Sequence, residues 1–436
     1  MRKIVDMVLI VTGLAFIFFL VPHAILTIDG VDRYRAVILF LTERGFSPTP
    51  YSIVGPLFSI PLSLVSHWGL SFEWWCARYN AVVFALGVLS FYFLLRPHLE
   101  PAIVRRFLLI LVAGSMFANH TRHYHGEVFT AILVGAGFML VFLRNSAWGW
   151  PLTVLAAANT PASILGYGFV VLQRIWDRKR LRYLLALIAA AALVLLENWL
   201  KRGHPLRSGY EGNHGARTLL PYSGLPDFSY PFVFGILSQL FSFGKGLVFF
   251  APGILLAFSL GRHLKKPELL KCHHALLWFL AGLILVYAKW WAWYGGFSWG
   301  PRFLLVASIP ASLALAVIMS RAESLGERSI ALGLLTLSIW VGISGAVFDL
   351  DRLGICDQDN YAHECFMWYV PEFSVLWRPF VDRRLLQPGD MALLTYGCAV
   401  LVYLGAPLLG SIGRDLAQRA TATCRDAKAT WRNWRV

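Results

Sequence analysis

The chain has 436 residues, 57% of them hydrophobic and only 14% charged, with a mean hydropathy of +0.60. Soluble domains carry roughly 25% charged residues, so a water-soluble enzyme and a disordered protein are excluded. The net charge of +15 reads as basic loops on the inner side of a membrane, not as a nucleic-acid-binding surface.

Arg2 and Lys3 precede an apolar run over 8–26. It is too long for a signal-peptide core and lacks a small-residue cleavage site before Asp29, so it reads as a retained first helix with its N-terminus inside. Asp29-Gly30-Val31-Asp32-Arg33-Tyr34-Arg35 follows at once. Ionisable groups are expensive beside hydrocarbon and mark functional sites. Asp29 suits a general base, because partial desolvation raises the basicity of a carboxylate. Asp32, followed by Arg33, suits an ion-paired structural group.

The next apolar stretch, 51–70, contains Gly55, Pro56 and Pro61, which favours shallow external helices that do not cross. Spans are expected at 79–95, 107–117 and 128–142, with the polar loop His120-Thr121-Arg122-His123-Tyr124-His125-Gly126-Glu127 outside. Between 150 and 173 the chain must leave the inside and return to the basic cluster 174–180. A short broken pair around Asn159-Thr160-Pro161 satisfies that parity. Further spans are expected at 183–200, 246–260, 275–287, 303–319, 330–348 and 391–409, about 12 crossings in all. The expected organisation is a single transmembrane domain over 1–413, with external loops 27–78, 201–245 and 349–390. A basic cytoplasmic tail, 414–436, would lie along the inner leaflet. Both termini fall inside, and nearly all of the unusual polar residues fall on the external face.

Several groups on that face carry chemistry. Glu127, at the mouth of a helix, could orient an acceptor hydroxyl, or with His125 hold a divalent cation. Lys245 sits between two glycines at the start of an apolar run, where the open backbone lets a phosphate approach. Trp290, Trp293, Tyr294 and Trp299 surround Gly295-Gly296, and Gly300-Pro301-Arg302 opens the next helix. An interfacial aromatic belt explains some of these rings but does not require the glycines or the arginine. Rings of this kind stack on sugars, and Arg302 could pair with a phosphate. Arg207, in the external loop with Lys201 and Arg202, runs against the positive-inside trend and suits an anionic headgroup. Cys356 and Cys365 share an external loop, where a disulfide is plausible; Cys76, Cys272, Cys398 and Cys424 read as ordinary thiols. Phosphate-binding loops, nucleophile elbows, zinc spacings and dinucleotide fingerprints are absent from the sequence.

Taken in order, these motifs resemble those of the GT-C superfamily of polytopic glycosyltransferases. Asp29-Gly30 is similar to the family's catalytic aspartate in the first external loop. The stretch from Tyr51 through Gly55 to Pro61 is similar to a juxtamembrane motif, and Gly203-His-Pro205-Leu-Arg-Ser-Gly209-Tyr210 to a loop ending in Gly-Tyr. Ser242-Phe243-Gly244-Lys245-Gly246-Leu247 resembles Ser-Pro-Gly-Arg-Gly-Leu with Lys for Arg, and Tyr294 to Phe303 resembles Tyr-Gly-Gly-Trp-Ser-Trp-Gly-Pro-Arg-Tyr. The resemblance spans most of the chain. It implies an all-α membrane fold with external juxtamembrane helices, a polyprenyl-phosphate sugar donor taken from the bilayer, and inverting transfer to an external acceptor. In that scheme Asp29 deprotonates the acceptor. Lys245, Arg302 and Arg207 neutralise the lipid phosphate. Glu127, His125, Tyr210 and the four aromatic residues line the sugar and acceptor. A metal is dispensable if basic residues neutralise the phosphate. Arabinofuranose heads the candidate sugars, and the acceptor is a glycan, a lipid or an exported protein such as a pilin. The enzyme is expected in the plasma (inner) membrane. The alternative is a lipid-linked glycan transporter or flippase; such proteins place ionisable groups near the midplane and carry repeats, which this sequence does not.

Overall fold

A computed structural model describes residues 2–25, 28–66, 69–348, 356, 359–381 and 385–433. Every named element among them is helical. Six helices are long and apolar enough to cross a membrane: Phe72–Leu95, Leu181–Arg202, Pro267–Tyr287, Arg302–Arg321, Leu325–Val347 and Pro388–Thr421. Glu127–Leu143 and Phe232–Phe241 are shorter apolar helices.

The N-terminal helix α1 (Arg2–Phe19) stops before the expected end of the first span. The polar cluster is itself helical: α2 (Ile28–Glu43) carries Asp29 in its first turn. Two short helices follow, α3 (Val54–Leu57) and α4 (Leu62–Ser66). The prolines at 56 and 61 forbid one continuous helix there. Helix α5 (Phe72–Leu95) begins with Ser71 capping the Trp74 amide, and α6 (Pro101–Ala113) with Pro at its first position, where the missing N–H is not needed. After the turn α7 (Phe117–His120) comes α8 (Glu127–Leu143).

The broken pair appears as α9 (Gly149–Asn159), a 3-10 turn at Pro161–Ser163, and α10 (Ile164–Arg178). Helix α11 (Leu184–Arg202) ends at Gly203 in the left-handed region. Beyond α12 (Phe232–Phe241), the run expected as a straight span at 246–260 is two single turns, α13 (Leu247–Phe250) and α14 (Ile254–Ala257). Pro252 lacks the amide a helix would use. Gly253 presses on α16: a Cβ there would meet the Ala311 carbonyl oxygen at 2.3 Å. Helices α15 (Pro267–Tyr287), α16 (Ser308–Arg321) and α17 (Leu325–Val347) follow, then the turn α18 (Phe366–Tyr369). The last helix, α19 (Pro388–Asn433), has 46 residues. At 1.5 Å per residue it is about 69 Å long, so the described part of the basic tail, 414–433, continues the final helix; residues 434–436 lie outside the described residues.

One large apolar core joins the membrane helices, while a second, aromatic core gathers Tyr230, Trp293, Tyr294, Cys356, Cys365, Met367 and Trp368. Near the opposite end of α1 the buried Asp6 is satisfied by Arg105 Nε at 2.7 Å and the Tyr403 hydroxyl at 2.7 Å, which ties α1, α6 and α19 together.

Candidate functional site

Three of the residues singled out in the sequence meet around one guanidinium. Arg302 Nη2 lies 2.7 Å from Asp29 Oδ2, and Arg302 Nε lies 3.6 Å from Glu127 Oε1. All three side chains are largely buried. They arrive from distant parts of the chain: the first turn of α2, the first turn of α8 and the entrance to α16. Helix N-termini favour carboxylates, which suits Asp29 and Glu127 where they stand.

The glycines around Arg302 now have a physical reason. Gly295, Gly296 and Gly300 have φ of +78°, +67° and +60°, a region that other residues rarely adopt. The chain can therefore fold back on itself, and Pro301 then leads Arg302 into a 3-10 turn. Lys245 splints that turn. Its ammonium is buried and donates to the carbonyls of Gly296 and Ser298. Burial and the nearby Arg302 charge lower its pKa to about 7.

A second set of bonds fixes the carboxylates. The Tyr51 hydroxyl donates to Asp29. Arg33 is buried, donates to the Ser52 carbonyl at 2.7 Å and lies over the Tyr51 ring. Burial alone would push the Asp29 carboxyl up. The Arg302 guanidinium, helped by the Tyr51 hydroxyl and Arg33, more than offsets it and holds the group well below the usual carboxylate range. Asn159, at the end of α9, accepts from the Gly55 amide and donates to the Gly126 carbonyl and Thr130 Oγ1, each at 2.9 Å. Asn80, on α5, donates to the carbonyls of His123 and His125 at 2.6 and 2.8 Å. Two helices, α5 and α9, thus hold the loop that presents Glu127.

No family model matches the sequence, and no curated protein is significantly similar to it. The structure is similar to the crystal structure of ArnT from Cupriavidus metallidurans bound to undecaprenyl phosphate. The TM-score is 0.52 at 12% sequence identity, over 93% of this chain and 77% of that one. The chain shares the fold of that protein.

Within this fold the remaining candidates separate. Tyr210 and Trp290 stand beside the ion cluster. Tyr210 packs edge-on to Tyr51 (6.3 Å between centroids) and to Trp290 (5.6 Å), and burial and the Asp29 charge push its hydroxyl up to about 12. Trp293, Tyr294 and Trp299, expected to face a sugar, are instead 3%, 5% and 2% exposed. Tyr294 stacks on Trp368 at 3.9 Å, Trp293 packs edge-on to the same ring, and Trp299 wedges against Phe250 and His120. They build the wall behind the Arg302 turn. His125 is buried with its ring stacked on His123, and burial holds its pKa well below the usual histidine range. Asp32 is half-buried one turn beyond Asp29, while its neighbour Arg33 turns to Ser52 and Tyr51. Arg207 is exposed, and its carbonyl accepts from Arg202 Nε at 2.7 Å.

The cation between Asp29 and Glu127 is a guanidinium, and among the described residues no group of three or more His, Cys, Asp and Glu side chains is placed to hold a metal. Cys356 and Cys365, expected as a disulfide pair, both lie buried in the aromatic core, with Cys365 Sγ 3.9 Å from the Ala362 carbonyl. Tyr51, Arg33, Asn159 and Asn80 complete the site. Tyr51, Arg33 and Asn159 stood in stretches already marked in the sequence, though not for these contacts; Asn80 carried no sequence signal.

Proposed function

We propose that this chain is an inverting glycosyltransferase that moves a sugar from a polyprenyl phosphate to an acceptor hydroxyl at the external face of the plasma membrane, with both termini cytoplasmic. The observation that carries this reading is the Arg302 guanidinium held between Asp29 and Glu127. The bound undecaprenyl phosphate of the structurally similar ArnT supports a lipid-linked donor.

In the resting arrangement Asp29 is a poor base, because Arg302 stabilises its anion. A donor phosphate changes that balance. Its oxygens compete for the guanidinium, which binds phosphate in the same forked geometry as carboxylate. Once Arg302 turns to the phosphate, Asp29 keeps its Tyr51 hydrogen bond but loses its strongest stabilising charge, and its basicity rises. The acceptor oxygen then attacks the anomeric carbon while Asp29 takes its proton. The bond from that carbon to the phosphate oxygen breaks, and the electron pair leaves with the lipid phosphate. Arg302 and protonated Lys245 neutralise the charge that develops there. Glu127 stays as an acceptor for a sugar or acceptor hydroxyl, and Tyr210 and Trp290 offer ring faces. Arabinofuranose is the first sugar to test; the acceptor is a glycan, a lipid or an exported protein.

The test is mass spectrometry of lipid that co-purifies in mild detergent. A polyprenyl phosphate in wild type that is lost in Arg302→Ala, with transfer abolished in Asp29→Asn, supports the reading. Transfer that survives Asp29→Asn sinks it.

A further inference from the structure

A carboxylate outside the ion cluster reaches the same site from a helix that faces lipid. Of the 19 residues of α11 only Ala190 and Lys201 are buried. Yet on its last turns Glu197 accepts from the Ser52 hydroxyl at 2.8 Å and from the Ile53 amide at 2.7 Å. Lys201, one turn on, pairs with Glu197 at 3.4 Å and donates to the Tyr51 carbonyl. Residues 51–53 are thus gripped at three successive positions, two through the backbone and one through the Ser52 hydroxyl, and none of them lies in a helix.

We propose that Glu197 is a positioning residue: it fixes the 51–53 backbone so that the Tyr51 hydroxyl stands against Asp29. The proposal rests on the reading of Asp29 as the base. The physical argument is geometric. Residues 46–53 lie outside any helix, so nothing intrinsic holds Tyr51 in place. Two hydrogen bonds to one half-buried carboxylate, which are stronger than neutral ones, remove that freedom. The Tyr51 ring is then caught between Arg33 and Tyr210, with its hydroxyl on Asp29. Glu197 itself contacts neither Asp29 nor Arg302, so it acts only through Tyr51.

The experiment compares Glu197→Ala, Glu197→Gln, Tyr51→Phe and the double variant Glu197→Ala/Tyr51→Phe in the full-length protein, with Asp29→Asn as reference. Hydrogen exchange at residues 51–54 is followed alongside steady-state transfer. Exchange there is expected to rise in Glu197→Ala while the rest of the molecule keeps its protection. Glu197→Ala and Tyr51→Phe are each expected to lower kcat about tenfold or more, the size of one hydrogen bond to a charged group, with KM nearly unchanged. The double variant is expected to fall no further than the worse single one. Gln, which can still accept from the Ile53 amide and donate to Ser52 Oγ, is expected to fall between wild type and Ala. Unchanged exchange at 51–54, or losses that multiply in the double variant, overturns the proposal. Raised exchange with transfer intact in both Glu197→Ala and Asp29→Asn overturns the assignment of Asp29 instead and leaves the tie itself standing.

Discussion

Arg302 does two jobs that a lysine could not combine. Its planar fork reaches Asp29 with Nη2 and Glu127 with Nε, and a point-charge ammonium cannot span both. Replacing it with Ala leaves two mostly buried carboxylates without their cation. The expected loss of stability is about 3–5 kcal/mol, measured as a fall in Tm in detergent. Asp29→Asn removes one of those charges, so the Asp29→Asn/Arg302→Ala pair should unfold at a higher temperature than Arg302→Ala alone. Asp29→Asn by itself should cut transfer by about 100-fold or more while retaining bound lipid. A stability effect without loss of turnover would leave the cluster a structural feature.

Lys245 makes a second prediction at this scale. With its pKa lowered to about 7, it sheds its proton as pH rises above 7 and gains it as pH falls. Binding of undecaprenyl phosphate should therefore weaken above pH 7, by up to about tenfold per pH unit. Lys245→Arg stays charged throughout. That variant should bind with a flatter pH profile. Identical profiles in the two proteins would reduce Lys245 to a splint for the Gly295–Gly300 turn.

At the scale of elements, the turn that delivers Arg302 is the part most exposed to substitution. Gly300 combines a φ of +60° with a Cβ position 2.7 Å from the Phe250 ring. Gly300→Ala should cost about 1–3 kcal/mol, seen in Tm, and should weaken donor binding by misdirecting Arg302. Asn159 holds three separate elements through three hydrogen bonds. Asn159→Ala should cost roughly 2–4 kcal/mol at about 1 kcal/mol per bond and lower turnover, because Gly126 and Glu127 lose their anchor. Asn159 was visible in the sequence as the break between α9 and α10. Its second function was not, since its partners lie 29 to 104 positions away.

At the scale of the whole molecule, the fold class was legible in the sequence, and Asp29, Glu127 and Arg302 were expected on one face, though not around one guanidinium. The reason is physical. Charged residues flanking apolar runs have few places to go, and alternation across the membrane sorts them to one face. The same reasoning could not separate the aromatic residues. Trp290 and Trp293 look alike in sequence, yet one edges Tyr210 and the other is sealed under Trp368, a ring 75 positions later. Helix ends were also hidden. The first helix stops at Phe19, and α2 starts at Ile28 with Asp29 in its first turn. The apolar run 246–260 gave no sign of breaking beyond Pro252, whose weight against so apolar a background was underrated.

The tie between α11 and the 51–53 backbone has a mechanical consequence. The segment Leu181–Arg202 has 22 residues, or about 33 Å of helix at 1.5 Å per residue, close to the ~30 Å of a bilayer's hydrocarbon. Little of its flank is covered by protein, and a membrane-spanning helix in that position tilts or shifts when the bilayer thins or thickens. Because Glu197 rides on it, such a shift is transmitted to Tyr51. Turnover in vesicles of defined acyl-chain length should pass through an optimum in wild type and lose much of that dependence in Glu197→Ala. A catalytic carboxylate at the surface would in this way be tuned by the thickness of the membrane that delivers its substrate.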